Sequence, residues 1–260
     1  MDFRSSCRVL QKALDVLNQD DAAELVFLLK GHILQCIFDR NGNHVIQKAI
    51  LILNTHAEKS SDHEEVPSSK KVLSCLSMLV DEVVAYIEDI SKHPFGCRVI
   101  QRMIENFAGK HRNIILDKIM ERHEQLLDDQ YGNYVVQRVI TCGRPSDRLA
   151  LLETITRGDN ILLLSKQKHA SNVVESMLKS VSPEEFKRIA QSILSCKDEQ
   201  QVGGKLEHAV ISMARDQYAN YVLKTVLDGL EEGEQRDQLF VPLQSSLEVL
   251  VSCYSGVKYI

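Results

Sequence analysis

Long apolar runs, proline and aromatic residues are all in short supply, and each shortage removes a class of protein. No stretch of about 18 apolar residues is present to cross a bilayer as a helix. Met1-Asp2-Phe3-Arg4 opens no signal peptide, so a soluble, cytoplasmic protein without a membrane partner is expected. Five prolines and an aromatic content of 5% suit helices joined by short turns better than a sheet sandwich. The seven cysteines, at positions 7, 36, 75, 97, 142, 196 and 253, contain no CxxC pair and are odd in number. That pattern points to reduced thiols rather than a disulfide or zinc framework. Nor is there a P-loop, a Ser/His/Asp set or a paired-carboxylate site, so no enzyme, cofactor or metal is expected.

What is present is a recurrence. The unit Asn133-Tyr134-Val135-Val136-Gln137 has five counterparts: Cys7-Arg8-Val9-Leu10-Gln11, Asn43-His44-Val45-Ile46-Gln47, Cys97-Arg98-Val99-Ile100-Gln101, Ser171-Asn172-Val173-Val174-Glu175 and Asn220-Tyr221-Val222-Leu223-Lys224. Each follows a small residue, in order Ser6, Gly42, Gly96, Gly132, Ala170 and Ala219. On a helix turning about 100° per residue, the first, second and fifth positions share one face. The third and fourth, always aliphatic, fall on the other side and are expected to face a core.

Successive units start 36, 54, 36, 38 and 49 residues apart, an underlying period near 36. A period of that size is the mark of a solenoid. The two long intervals contain the polar segment 54–71 and the turn-rich segment 196–205, read as insertion loops. Segments 22–38 and 112–127 carry aliphatics at three- and four-residue intervals, with breaks near Gly31 and at His123-Glu124. The expected fold is therefore all-α: one domain over 1–260, built from about six three-helix repeats, with the unit opening the middle helix of each.

The net charge of −5 does not announce a polyanionic partner, but its distribution is uneven. Arg8, Lys12, Lys48, Arg98, Arg102, Arg138 and Lys224 lie in or just after the units, while acidic residues crowd 58–65, 121–129 and 231–237. One basic ridge on an acidic body is the simplest picture. A merely solvated wall would drift among Lys, Glu, Ser and Arg. Here the first position is only Cys, Asn or Ser, and the fifth is Gln four times, then Glu and Lys. Flat or planar groups at the second position, beside a hydrogen-bonding pair, suit stacking on bases and reading of base edges.

On these residues the chain resembles the Pumilio family of RNA-binding repeat proteins. His93-Pro94-Phe95-Gly96-Cys97-Arg98, Asp129-Gln130-Tyr131-Gly132-Asn133-Tyr134 and Asp216-Gln217-Tyr218-Ala219-Asn220-Tyr221 carry the likeness, which extends over nearly the whole chain. The order of units is similar to the third to eighth repeats of an eight-repeat domain. The resemblance implies a right-handed superhelix with the second helix of each repeat on the concave face. It also implies a base assignment: Cys7 with Gln11 for A, Asn43 with Gln47 for U, Cys97 with Gln101 for A, Asn133 with Gln137 for U, Ser171 with Glu175 for G and Asn220 with Lys224 for U. Arg8, His44, Arg98, Tyr134, Asn172 and Tyr221 would stack. With RNA running antiparallel to the chain, the implied site is 5′-UGUAUA-3′ in messenger 3′ untranslated regions. Repression or decay through deadenylase or co-repressor proteins, by a monomer, would follow.

Two other readings stand beside this one: a protein-binding helical scaffold, and a ribosome-biogenesis relative that binds RNA with little sequence preference. Lys224 stands where Gln is expected, and Ser5-Ser6 replaces the aromatic-glycine pair of Tyr131-Gly132. The short lead before Cys7 and the stop at 254–260 are read as either a naturally short member or a chain truncated at both ends. His56, Asp62, His63, Glu64 and Glu65 are read as part of a polar loop rather than a metal cluster, and Ser61 as an ordinary surface serine. His93 is expected in a turn, and Cys7 and Cys97 on the polar face.

Overall fold

The computed structural model describes residues 3–54, 70–202 and 205–245. Within them the chain forms α1 (Phe3–Val16), α2 (Gln19–Phe27), α3 (Ile33–Phe38), α4 (Gly42–Asn54), α5 (Lys70–Val84), α6 (Ile87–Ser91), α7 (Gly96–Asn106), α8 (Gly109–Met120) and α9 (His123–Leu126). It continues with α10 (Gly132–Cys142), α11 (Pro145–Thr156), α12 (Asn160–Ser165), α13 (Ala170–Leu178), α14 (Pro183–Ser195), α15 (Ala209–Arg215), α16 (Ala219–Gly229) and α17 (Glu234–Ser245). The repeating order is a short helix, a helix that the five-residue unit opens, and a longer helix, as in α6, α7 and α8. The unit thus opens the middle helix, as its phase in the sequence predicts.

Helical boundaries follow local chemistry. Asn18 caps α2, its Oδ1 accepting from the Asp21 N–H at 3.0 Å. At α14, Ser182 and Glu185 satisfy each other's backbone N–H groups, at 3.3 and 2.8 Å, around Pro183 in the first turn. The break near Gly31 is a turn in which this residue takes a φ of 80°, a conformation open to glycine.

Two compact units make up the fold, Met1–Asp147 and Arg148–Ile260. In the first, α1, α4, α7 and α10 lie side by side in sequence order, and α2, α5 and α8 form a second layer behind them. In the second, α13 packs on α16 and α14 on α17, with the short α12 and α15 between the layers. The aliphatic pairs of the units supply much of the core. Val45, Ile46, Val99, Ile100, Val135, Val136, Val173, Val174, Val222 and Leu223 are all within 3% of complete burial. Each such side chain contributes about 1.5 to 3 kcal/mol against exposure to water. Val9 departs from the rule and is exposed, since α1 has no short helix on its N-terminal side among the described residues.

The all-helical expectation meets one local exception. Residues 197–208, which overlap the turn-rich segment, form an antiparallel pair, β1 (Lys197–Val202) and β2 (Lys205–His208), with Val202 opposite Lys205 and Gln201 opposite Leu206. Gly203 and Gly204, between the two strands in sequence, lie outside the described residues. Of the 54–71 segment, 55–69 lie outside the described residues, and with them Ser61 and the His56 to Glu65 cluster. The 254–260 stretch also lies outside. Among the described residues no helix is long and apolar enough to cross a membrane.

Candidate nucleic-acid interface

From the second unit on, each unit opens its helix against the end of the short helix before it, and the approach is close. A Cβ on Gly96 would stand 2.5 Å from the Ile90 carbonyl oxygen, and one on Gly42 2.8 Å from that of Cys36. On Gly132 it would meet Leu126 Cδ2 at 2.9 Å. These distances explain the small residue that precedes each unit. At Ala170 and Ala219 the same place holds a methyl group, fully buried.

A side-chain acceptor four residues ahead of the unit holds each of four starts. Asp129 Oδ1 accepts from the N–H groups of Tyr131 and Gly132 at 2.9 and 2.7 Å. Asp39 Oδ1 does the same for Asn41 and Gly42 at 2.8 and 2.6 Å, and Asp216 Oδ1 for Tyr218 and Ala219 at 2.8 and 2.9 Å. Such turns use the short aspartate side chain as a substitute for a backbone carbonyl. In the third repeat the acceptor is His93 Nδ1, 3.2 Å from the N–H groups of both Phe95 and Gly96. His93 is indeed a turn residue, packed edge-on to Phe38 at 4.8 Å and Phe95 at 5.5 Å. Accepting at Nδ1 requires the neutral ring, and burial pushes its pKa down.

The three polar positions of each unit fall into three environments. The second is exposed in every helix: Arg8, His44, Arg98, Tyr134, Asn172 and Tyr221. Tyr134 and Tyr221 leave 52% and 61% of their surface open. The fifth is half-buried at Gln11, Gln47, Gln101, Gln137 and Glu175, and exposed at Lys224.

At the first position the polar-face expectation needs refinement. Cys7, Asn43, Cys97, Asn133 and Ser171 are buried, and Asn220 is half-buried. From Asn43 onward, their polar atoms are turned back onto the preceding turn. Asn133 Nδ2 donates to the Asp129 carbonyl at 2.8 Å, Asn43 Nδ2 to those of Asp39 and Arg40 at 2.8 Å each, and Asn220 Nδ2 to that of Asp216 at 2.7 Å. Ser171 Oγ reaches the Lys168 carbonyl at 3.3 Å, and Cys97 Sγ that of Pro94 at 3.7 Å. Burial raises the thiol pKa of both Cys7 and Cys97, which keeps them protonated donors at neutral pH.

First and fifth positions are also joined. Gln47 Nε2 donates to Asn43 Oδ1 at 2.8 Å, and Gln137 Nε2 to Asn133 Oδ1 at 2.9 Å. Gln101 Nε2 bonds the Cys97 carbonyl at 3.0 Å, and Glu175 takes a 3.2 Å contact from Lys179.

The basic ridge is partly neutralised from within. Lys48 pairs with Asp15 on the neighbouring α1. Glu105 of α7 takes Arg102 at 2.6 Å and Arg138 of α10 at 3.0 Å. Both interhelical pairs join the ninth residue counted from the start of one unit to the sixth of the next. Arg8, Arg98 and Lys224 make no ion pair among the described residues. The described residues hold no group of three or more His, Cys, Asp or Glu able to bind a metal ion.

Comparison with known proteins accounts for the repeat. A family profile described as Pumilio-family RNA binding repeat matches residues 4–27, 32–54, 86–120, 129–156, 160–194 and 209–241. Pumilio homology domain family member 4 of Saccharomyces cerevisiae is 29% identical over 235 residues, 89% of this chain and 23% of the yeast protein. The chain spans between 23% and 37% of the curated relatives it matches. Among solved structures, PUF-8 in complex with PBE-RNA superposes with a TM-score of 0.77 at 28% identity, over 97% of this chain and 69% of that one. The Puf3 RNA binding domain bound to the Cox17 RNA 3′ UTR recognition sequence site A gives 0.75 at 30% identity, over 95% and 68%. The short, middle and long helices recurring in phase with the matched segments are those of an α-solenoid, and the chain belongs to the Pumilio family of RNA-binding repeat proteins.

Proposed function

We propose that the chain binds single-stranded RNA by sequence and without catalysis, one base to each five-residue unit, on the site 5′-UGUAUA-3′. The observation that carries this is the division of labour within the units: an exposed side chain at the second position, beside first and fifth residues whose side chains are hydrogen-bonded to each other in the Asn43–Gln47 and Asn133–Gln137 units. The likeness to Pumilio-family structures solved with RNA supports it. On this reading Tyr134 and Tyr221, both exposed, stack at about 1 to 3 kcal/mol per base, and Arg8 and Arg98 do so with added charge.

Each pair offers a chemistry suited to its base. Glu175 is an acceptor only, matched to the N1–H and N2–H₂ donors of guanine, and a glutamine presents both donor and acceptor to uracil. Lys224 differs, because an ammonium group only donates. It can serve the carbonyl oxygens of uracil but not its N3–H, whereas cytosine presents an acceptor at N3. The first base of the site is therefore read as a pyrimidine, with weaker preference for U than the Asn43 and Asn133 repeats give. In the cell the protein acts on 3′ untranslated regions in the cytoplasm, as a monomer that lowers translation or stability by recruiting deadenylase or co-repressor proteins.

Binding of the chain to UGUAUA and to UCUAUA across a salt series tests the reading. Preference for UGUAUA by about tenfold or more is expected, in line with 1 to 3 kcal/mol for a good base contact. Equal affinity would leave only electrostatics, and no binding to either RNA would favour the protein-scaffold alternative. The double substitution Ser171→Asn with Glu175→Gln moves the preference at the second base from G to U.

A further inference from the structure

Aspartate stands four residues ahead of the unit in each repeat whose unit begins with asparagine: Asp39 before Asn43, Asp129 before Asn133, and Asp216 before Asn220. The repeats that begin with Cys97 and Ser171 have His93 and Gln167 there instead. This distribution matches a chemical need. A primary amide has a donor end and an acceptor end that differ little in shape, so an amide reader must be prevented from turning over. The first-position thiol of Cys97 and hydroxyl of Ser171 have no such ambiguity.

The three aspartate repeats contain what prevents it. Asp129 Oδ1 ties down the Tyr131 and Gly132 N–H groups at 2.9 and 2.7 Å, which aims the Asp129 carbonyl at Asn133. That carbonyl accepts from Asn133 Nδ2 at 2.8 Å and from the Asn133 backbone N–H at 3.2 Å. With Nδ2 committed to the turn, Oδ1 faces Gln137 and accepts from its Nε2 at 2.9 Å. A reversed Asn133 amide would set two oxygens against each other at the turn, and two nitrogens against each other at Gln137. The same chain runs from Asp39 through Asn43 to Gln47, with its side-chain links between 2.6 and 2.8 Å and the Asn43 backbone N–H 3.2 Å from the Asp39 carbonyl. In α16 it ends at Asn220, since residue 224 is lysine.

We infer that Asp129, with Asp39 and Asp216 in their own repeats, is a specificity-determining positioning residue that fixes the amide orientation of the reading pair and so selects uracil over cytosine. Uracil presents acceptor, donor, acceptor along its Watson–Crick edge; cytosine presents acceptor, acceptor, donor. A pair held one way round suits the first, and a pair free to invert serves both. The inference rests on the proposed base reading and goes beyond it, by naming residues that touch no base.

The test uses the full chain with three RNAs: UGUAUA, UGCAUA, altered opposite Asn133, and UGUACA, altered opposite Asn43. For Asp129→Ala, the preference for UGUAUA over UGCAUA should fall by about tenfold while the preference over UGUACA is kept. Asp129→Asn, which retains an acceptor for the turn, should keep both. Loss of affinity by one common factor for all three RNAs, or loss of both preferences together, would assign Asp129 a purely structural role and overturn the inference. If Asp129→Ala does not fold by circular dichroism, Asp39→Ala puts the same question with the two altered RNAs exchanged. Wild-type protein that does not distinguish U from C would overturn the base reading as well, so the two failures are told apart by the wild-type measurement alone.

Discussion

Replacing Gly96 with alanine sets two known effects against each other at a site where the geometry decides the sign. At an ordinary helical position the change is stabilising, by about 0.5 to 1 kcal/mol, because alanine has less freedom to lose on folding. At Gly96 the new methyl carbon would lie 2.5 Å from the Ile90 carbonyl oxygen, 2.9 Å from Ile90 Cγ2 and 3.2 Å from its carbonyl carbon. Two of these atoms belong to the backbone of α6, which cannot rotate aside as a long side chain could. Relief requires α7 to move away from α6, and overpacking of this kind costs about 1 to 3 kcal/mol. The expected net effect is a destabilisation of about 1 to 2 kcal/mol. Urea unfolding followed by circular dichroism measures it, and amide hydrogen exchange in α6 and α7 locates it. Because Gly96 opens α7 next to Cys97, the proposed reader of A, affinity should also weaken most for that base on the proposed reading. A stabilised Gly96→Ala protein would refute the reasoning and show that the contact between the two helices is easily adjusted.

Lys224→Gln should restore an acceptor for the N3–H of uracil and raise the preference for UGUAUA over CGUAUA several-fold, by about 1 kcal/mol; an unchanged ratio would place Lys224 away from the base. Glu105→Gln releases the Arg102 and Arg138 guanidiniums. RNA affinity should then rise at low salt and its logarithmic salt slope steepen by about one, with a stability change under about 1 kcal/mol, as for an exposed pair. His93 has a depressed pKa in the folded protein, so its neutral form contributes fully above the unfolded value of about 6.5. That contribution is lost as pH falls from there toward the folded value, where the unfolded chain binds the extra proton. His93→Asp, which copies the acceptor of three sister repeats, should flatten the stability curve between pH 7 and 5 relative to wild type. An unaltered curve would remove His93 from the titration.

Much of this arrangement can be read in the sequence because a strict repeat tests every position several times over. The Val-Val and Val-Ile pairs identify the buried side of the helix, and a period near 36 identifies the stack. Small residues ahead of the units were visible as a pattern, but the 2.5 Å approach behind Gly96 was not, since it depends on where α6 ends. The first unit position was harder. A helical wheel gives direction and not depth, so it placed Asn43 and Asn133 on the polar face without revealing that the turn beneath them covers all but 1% of each side chain. The aspartates at 129 and 216 were in view within the segments that carry the family likeness, and the four-residue spacing from Asn, which Asp39 shares, was the available signal. Their role needs hydrogen-bond partners to be seen. Charge is the other case. Glu105 is one acidic residue among 36 Asp and Glu in the sequence, and only packing of α7 on α10 reveals that it offsets two of the cations assigned to the ridge.

The different depths of the second and first positions have a consequence for how such a protein can change over generations. Tyr134 and Tyr221 are largely open to solvent, so replacing either disturbs little of the packed interior, and grip on RNA can drift at small cost to folding. Asn133 is threaded into a turn, a backbone carbonyl and a neighbouring glutamine, so on the proposed reading a new letter there asks for coordinated replacements at 129, 133 and 137. If the proposed reading holds, tightness of binding is thus open to gradual adjustment, whereas the spelling of the recognised word is inherited in blocks.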